Sequence, residues 1–198
     1  DNIRIHTSTD ELSHVTTNTY DNYGRLLISQ DSLENTVNFQ YDDLGRQINI
    51  SSNDGSQATT TYAWEDPGST PSLARYSISK TGNDGSQSKI WYDKLGREIR
   101  TDIKGFDGTM IYTSTGYNAK GQIVSESDPY FYNETPQLNT FTYDDYSRII
   151  SANRPSGRNT SWQYDNNSII ETTAGKSFSK TYSSNGNVES ATDPGGTI

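Results

Sequence analysis

"YDDLGR" at residues 41–46 returns almost unchanged as "YDKLGR" at 92–97. Looser copies stand around them: "YDNYGR" at 20–25, "YNAKGQ" at 117–122 and "YDDYSR" at 143–148. A catalytic loop needs to be written once, whereas a phrase written many times is architecture. The phrase also has a local physical reading. An Asp opening a turn accepts a hydrogen bond from the backbone two residues on. Glycine at the fourth position after Tyr adopts the positive φ that a type I turn with a following bulge needs. The phrase is therefore a hairpin corner, with Tyr closing one strand and Arg opening the next.

Aligned on the leading tyrosine, the corners fall at Tyr20, Tyr41, Tyr62, Tyr92, Tyr117, Tyr143, Tyr164 and Tyr182. The signature residues are Tyr20, Asp21, Gly24 and Arg25; Tyr41, Asp42, Gly45 and Arg46; Tyr92, Asp93, Gly96 and Arg97; Tyr117 and Gly121; and Tyr143, Asp144 and Arg148. Phe39, Ile90, Phe141 and Trp162 precede their tyrosines by two, which at period two puts them on the same sheet face. Leu26, Ile48, Ile99, Ile123, Ile149 and Val188 follow the corners.

Between corners lies what reads as a second kind of turn: "SNDGS" at 52–56, "GNDGS" at 82–86, "FDGT" at 106–109, "RPSGR" at 154–158 and "TAGK" at 173–176. Each unit is thus corner, strand, turn, strand. The expected fold is all-β: about seven consecutive antiparallel hairpins after an incomplete N-terminal unit, in which Ile3 and Ile5 alternate, forming a curved, spiralling sheet of some 14 strands. Residues 1–198 read as a single array, a fragment of a larger protein. Insertions are expected at "WEDPGSTPSLAR" (64–75) and "SDPYFYNETPQ" (127–137), and the corners after Tyr62, Tyr164 and Tyr182 are degenerate.

Composition agrees with a thin wall. Apolar residues make up 29% of the 198, yet aromatics reach 11%, with 14 tyrosines. One modestly apolar face fits this better than a thick core does. The net charge is 16 − 25 = −9, which disfavours nucleic acid and anionic membrane as partners. No apolar run approaches the ~20 residues of a membrane helix, and the absence of cysteine removes disulfides and thiol chemistry.

No catalytic, cofactor or metal site is expected. His6 and His14 are the only histidines and gain no third ligand from spacing. The Asp and Arg residues recur too often for an acid–base pair, and each Arg is expected over a Tyr ring or beside an Asp. Exposed aromatics that could stack on a ligand, sugar rings above all, are Trp64, Trp91, Trp162, Tyr130, Phe131 and Tyr132; the competing reading is that they seal neighbouring strands.

The tyrosine-led phrases resemble the YD-repeat, or Rhs-repeat, family, over nearly the whole chain from Tyr20 onward. "KGQIVSESDPYF" is similar to a segment of the B and C components of Tc toxin complexes. The family includes bacterial Rhs toxins, wall-associated proteins and teneurins. The resemblance implies a spiralling β-sheet wrapped into a hollow shell around a toxic C-terminal segment. It implies a bacterial, secreted or cell-surface protein, whose partners are the rest of its own chain and an enclosed toxin polypeptide. The alternative function is a binding module for surface carbohydrate or a partner protein. Unpaired edge strands would permit self-association.

Overall fold

The computed structural model describes residues 4–66, 68 and 71–197. Ile3 of the expected N-terminal strand, and Pro67, Ser69 and Thr70 of the first insertion, lie outside the described residues. Every strand pairing found is antiparallel, and the chain forms two compact units, Asp1–Met110 and Ile111–Ile198.

The first unit is a meander of nine strands: β1 (Thr7–Thr9), β2 (Val15–Tyr20), β3 (Leu26–Gln30), β4 (Thr36–Tyr41), β5 (Gln47–Ser52), β6 (Gln57–Trp64), β7 (Tyr76–Gly82), β8 (Gln87–Tyr92) and β9 (Glu98–Lys104). Each pairs with the next in sequence. Successive loops therefore alternate between two margins. One is the tyrosine margin, with loops 21–25, 42–46 and 93–97 and the longer excursion after Trp64. The other is the far margin, with loops 10–14, 31–35, 52–56, 82–86 and 105–109.

The second unit holds β10 (Met110–Tyr117), β11 (Ile123–Ser127), β12 (Tyr130–Phe131), β13 (Leu138–Tyr143), β14 (Ile149–Asn153), β15 (Thr160–Asp165), β16 (Ser168–Thr173), β17 (Lys176–Tyr182), β18 (Val188–Asp193) and β19 (Gly196–Thr197). Strand β10 pairs with both β11 and the short β12, β11 pairs with β13, and from β13 to β19 each strand pairs with its successor.

The seven intervals between the eight tyrosines supply fourteen strands, the number the repeat predicts. The described residues hold nineteen. Four of the extra strands lie before the first corner or after the last: β1, β2, β18 and β19. The fifth, β12, arises because Tyr130 and Phe131 of the second insertion pair back onto Tyr112 and Ile111.

The register shifts by one residue at Tyr20, Tyr41, Tyr92, Tyr117, Tyr143 and Tyr182, which is the bulge the corner requires. At Tyr62 and Tyr164 the pairing runs through without a shift. There the corner is replaced, by the excursion after Trp64 and by a two-residue turn at Asn166 and Asn167, where Asn166 has φ 39°.

Burial is sparse. The buried apolar side chains among the described residues are Ala74, Trp91, Ile99, Tyr112 and Ala152. Alternation explains this: one residue in two along each strand faces each side, and much of what faces either side is Ser, Thr, Asn or Gln. The first unit gains extra burial at β7–β9. There Ser77 donates to Glu65 (2.6 Å), Lys89 pairs with Glu65 (2.9 Å), and the Trp91 indole N–H donates to Asp102 (2.9 Å). Arg100 holds the other oxygen of Asp102 at 2.6 Å. A thinly covered sheet is thus reinforced by a polar network whose members satisfy one another.

Candidate functional site: a stitched row of corners

Each regular corner is a five-residue loop closed by two backbone bonds. In loop 42–46 the Asp42 N–H donates to Arg46 O (2.9 Å) and the Gly45 N–H donates to Asp42 O (2.9 Å). The Asp42 carboxylate then organises the interior. Its Oδ1 accepts from the N–H groups of Leu44 (3.0 Å) and Arg46 (2.8 Å), and its Oδ2 accepts from Arg46 Nε at 2.7 Å. Loops 21–25, 93–97 and 144–148 repeat the pattern, with Arg Nε to Asp Oδ2 at 2.6, 2.8 and 2.7 Å. Partial burial pushes these carboxyls up, but the bonds accepted from the Arg backbone and guanidinium outweigh it, so all four sit below the usual carboxylate range.

The fourth residue of the loop is left-handed. Gly24 has φ 89°, and a Cβ there would stand 2.6 Å from the Arg4 guanidinium, so the glycine serves both the turn and the neighbour above it. Ser147 accepts the same conformation at φ 66° without a glycine.

The corners are also joined to one another. The Arg46 guanidinium carbon lies 4.3 Å from the ring centroid of Tyr62, and the Tyr62 hydroxyl donates to Gln47 O at 3.3 Å. Arg25 lies 5.0 Å from the Tyr41 ring and donates to Asp42 O (3.3 Å), while the Tyr41 hydroxyl donates to Leu26 O (2.9 Å). In the second unit Arg148 lies 4.2 Å from Tyr164, whose hydroxyl donates to Ile149 O (2.8 Å). The rule is one repeat forward: Asp holds Arg, Arg covers the next Tyr, and that Tyr bonds the carbonyl just after the Arg. The Tyr143 hydroxyl likewise reaches Ile123 O (2.7 Å), just after Gln122.

The sequence reading overlooked several members. Arg4 lies 5.9 Å from Tyr20, and the Tyr20 hydroxyl donates to Ile5 O (2.9 Å), so the row starts one residue group earlier than the first tyrosine. Loops 10–14 and 31–35 have the same acid-first chemistry. Asp10 Oδ1 accepts from Leu12 and His14 N–H, and Asp31 Oδ1 accepts from Leu33 and Asn35 N–H, at 2.8–2.9 Å. Their left-handed residues are Ser13 (φ 66°) and Glu34 (φ 64°).

Three of the five turns expected to be of a second kind need correction, whereas "RPSGR" and "TAGK" do close differently from the corners. Loops 52–56, 82–86 and 105–109 have the same backbone closure as the tyrosine corners, for instance Ser52 N–H to Ser56 O (2.8 Å) and Gly55 N–H to Ser52 O (3.0 Å). Only the Asp has moved, from first to third place, where Asp54 accepts the Ser56 N–H (2.8 Å). The second-place Asn then joins loops. Asn53 donates to Glu34 O (2.9 Å) and Asn83 to Gly55 O (2.7 Å).

The aromatic candidates are dispersed. Trp64 is 87% exposed, with Tyr76 edge-on at 6.1 Å. Trp91 is buried, its ring covered by Lys89 Nζ at 3.5 Å from the centroid. In the second unit Trp162 is half-buried and donates to Glu171 at 3.2 Å, lining a cavity of about 310 Å³ with Phe178 and Tyr182. Tyr130 and Tyr132 flank buried Tyr112 at 5.7 and 6.5 Å, and Phe131 is exposed.

These features define a class: an antiparallel β-meander of hairpin repeats with stitched corners. A crystal structure of TcdB2-TccC3 is similar in its backbone fold, with a TM-score of 0.73 and 15% identity over 95% of the present chain. The chain spans 13% of that protein's length. A second crystal structure, TcdB2-TccC3-TEV, aligns over 96% of the chain at 12% identity with a TM-score of 0.47. No family model matches the sequence, and no curated protein matches it. No helix among the described residues is long and apolar enough to cross a membrane.

Proposed function

We propose that this chain is a stretch of wall in an encapsulating shell of the YD/Rhs-repeat type, without chemistry of its own. The observation that carries this is the forward stitch, Asp to Arg to the next Tyr. It spends the recurring polar residues on holding corners together, and the fold is shared with TcdB2-TccC3. In this reading Tyr20, Tyr41, Tyr92, Tyr117 and Tyr143, with their Asp, Gly and Arg partners, are architectural. The wall continues into the rest of a longer bacterial, secreted chain and curves around a toxin polypeptide carried by it.

The test is electron microscopy of the complete native protein, paired with limited proteolysis. A hollow particle whose interior segment survives protease until the wall is unfolded supports the proposal. An extended filament, or a particle with every segment equally cleavable, refutes it.

A further inference from the structure

Four hairpin loops place an acid or its amide directly before a left-handed glycine: Asp54–Gly55, Asp84–Gly85 and Asp107–Gly108 in the first unit, and Asn185–Gly186 in the second. Asn185–Gly186 is the single Asn–Gly step in the sequence. An amide followed by glycine is well suited to ring closure through the backbone. The carboxamide carbon is electrophilic, its nitrogen can leave as ammonia, and glycine has no side chain to shield the attacking backbone nitrogen. A Cβ built at Gly186 would meet nothing within 4 Å.

The four loops hold these groups differently. Asp54, Asp84 and Asp107 each accept the N–H of the residue two on, Ser56, Ser86 and Thr109, at 2.8–2.9 Å. Bonds from those same residues hold the three carboxyls below the usual carboxylate range, and an ionised carboxylate resists nucleophilic attack. Asn185 is exposed, and its carboxamide makes no hydrogen bond among the described residues. Corner 183–187 closes through Ser183 N–H to Asn187 O (2.8 Å), Gly186 N–H to Ser183 O (2.9 Å) and Asn187 N–H to the Ser183 hydroxyl, a longer bond of 3.2 Å. Ser183 and Asn187 carry no charge, whereas Asp144 and Arg148 lock the corresponding corner 144–148 with an ion pair.

We propose that Asn185 is a site of spontaneous covalent modification, at which the Gly186 backbone nitrogen attacks Asn185 Cγ when corner 183–187 opens. In the closed corner the Gly186 N–H is committed to Ser183 O, so opening comes first. The N–Cγ bond forms, Gly186 N gives its proton to solvent, the Cγ–Nδ2 bond breaks and ammonia leaves. Water then opens the cyclic imide. Breaking the new N–Cγ bond leaves aspartate, and breaking the bond from Asn185 C to Gly186 N leaves isoaspartate. The sum is amide plus water to acid plus ammonia, with nothing oxidised or reduced. The two products affect the corner in opposite ways. An aspartate at 185 stands where Asp54 stands in its loop and can accept the Asn187 N–H. An isoaspartate lengthens the main chain by one carbon, and the Gly186 bond to Ser183 O is lost. Either product adds a negative charge to a neutral corner. The inference rests on this loop alone and does not depend on the shell reading.

The test incubates the protein in mildly alkaline buffer, folded and, in parallel, unfolded in urea, and follows the Asn185 peptide by mass spectrometry after digestion. Conversion in the folded protein should run about tenfold to a hundredfold slower than in urea, yet ahead of every other Asn. Each variant's folded rate is divided by its own rate in urea, which cancels any change in intrinsic reactivity. Ser183→Ala deletes the hydroxyl acceptor and should raise that ratio about threefold. Ser183→Asp with Asn187→Arg copies corner 144–148 and should lower it about tenfold. Circular dichroism checks that each variant is folded, and the second variant, which tightens the corner, decides the matter if the first is not. Equal rates folded and unfolded, a ratio that the tightened corner leaves unchanged, or earlier conversion at another Asn would overturn the proposal. So would an intact Asn185 in the folded protein after about a hundred half-lives of the urea sample.

Discussion

The tyrosine corners of the first unit keep Asp and Arg at every regular loop: Asp21–Arg25, Asp42–Arg46 and Asp93–Arg97. Those of the second unit shed them. Loop 118–122 has Asn118 and Gln122, loop 183–187 has Ser183 and Asn187, and only loop 144–148 retains the ion pair. The backbone does not notice. Asn118 N–H donates to Gln122 O and Ser183 N–H to Asn187 O, at 3.0 and 2.8 Å, as in the charged corners. A left-handed fourth residue and a short first-place acceptor are enough to make the turn. The charges add the stitch: only a cationic fifth residue can both hold the Asp and cover the next tyrosine.

This difference sets an order of expected effects. Replacing Asp93 by Ala, a side chain only 7% exposed, removes the acceptor of two loop N–H groups and the ion pair with Arg97. It should lower unfolding free energy by about 2–4 kcal/mol. The matching Asn118→Ala, with no ion pair to lose, should cost about 1–2 kcal/mol. Urea denaturation followed by circular dichroism reads both, and equal losses would remove the distinction between charged and neutral corners. Installing the charged pair should work in the opposite direction. Gln122 Nε2 is buried without a hydrogen-bond partner, so Asn118→Asp with Gln122→Arg should add about 1 kcal/mol. Tyr41→Phe deletes one hydroxyl bond to Leu26 O and should cost about 0.5–1.5 kcal/mol. Ser147→Gly should stabilise by up to about 1 kcal/mol, because the left-handed conformation at φ 66° is easier for glycine.

Acid should separate the two units as well. Asp10, Asp21, Asp31, Asp42, Asp54, Glu65, Asp84, Asp93 and Asp107 in the first unit have depressed carboxyl pKa values, and Asp144 in the second. A carboxyl depressed by folding stabilises above its unfolded pKa of about 4, and that contribution is lost as pH falls through the lower folded value. Hydrogen exchange between about pH 5 and pH 2 should therefore show amides of β2–β9 losing protection before those of β13–β18. The reverse order would contradict the assignment.

Turn chemistry is local, and for that reason the corners were legible. Tyr, Asp, Gly and Arg at fixed offsets announce a bulged hairpin wherever the chain runs. Loops 10–14 and 31–35 were hidden because Ser13 and Glu34 take the conformation glycine usually marks. Separating "NDG" turns from tyrosine corners was an error of the same origin: moving Asp from first to third place changes the spelling but not the loop. The forward stitch was only half readable. An Arg beside an Asp follows from spacing, but which tyrosine it covers depends on strand order, and nothing within one corner says that Arg46 belongs to Tyr62. The aromatic positions were least readable. Trp91 precedes its tyrosine by one residue and Trp162 by two, and spacing alone does not say that Lys89 covers the first while a cavity opens beside the second.

A double-mutant cycle on Arg46 tests the forward stitch most directly. With Arg46→Ala and Tyr62→Ala, alone and together, the coupling should be about 0.5–1 kcal/mol, and with Tyr41→Ala, whose ring carries Arg25 instead, it should be near zero. Coupling to Tyr41 as large as to Tyr62, or none to either, would contradict the forward stitch.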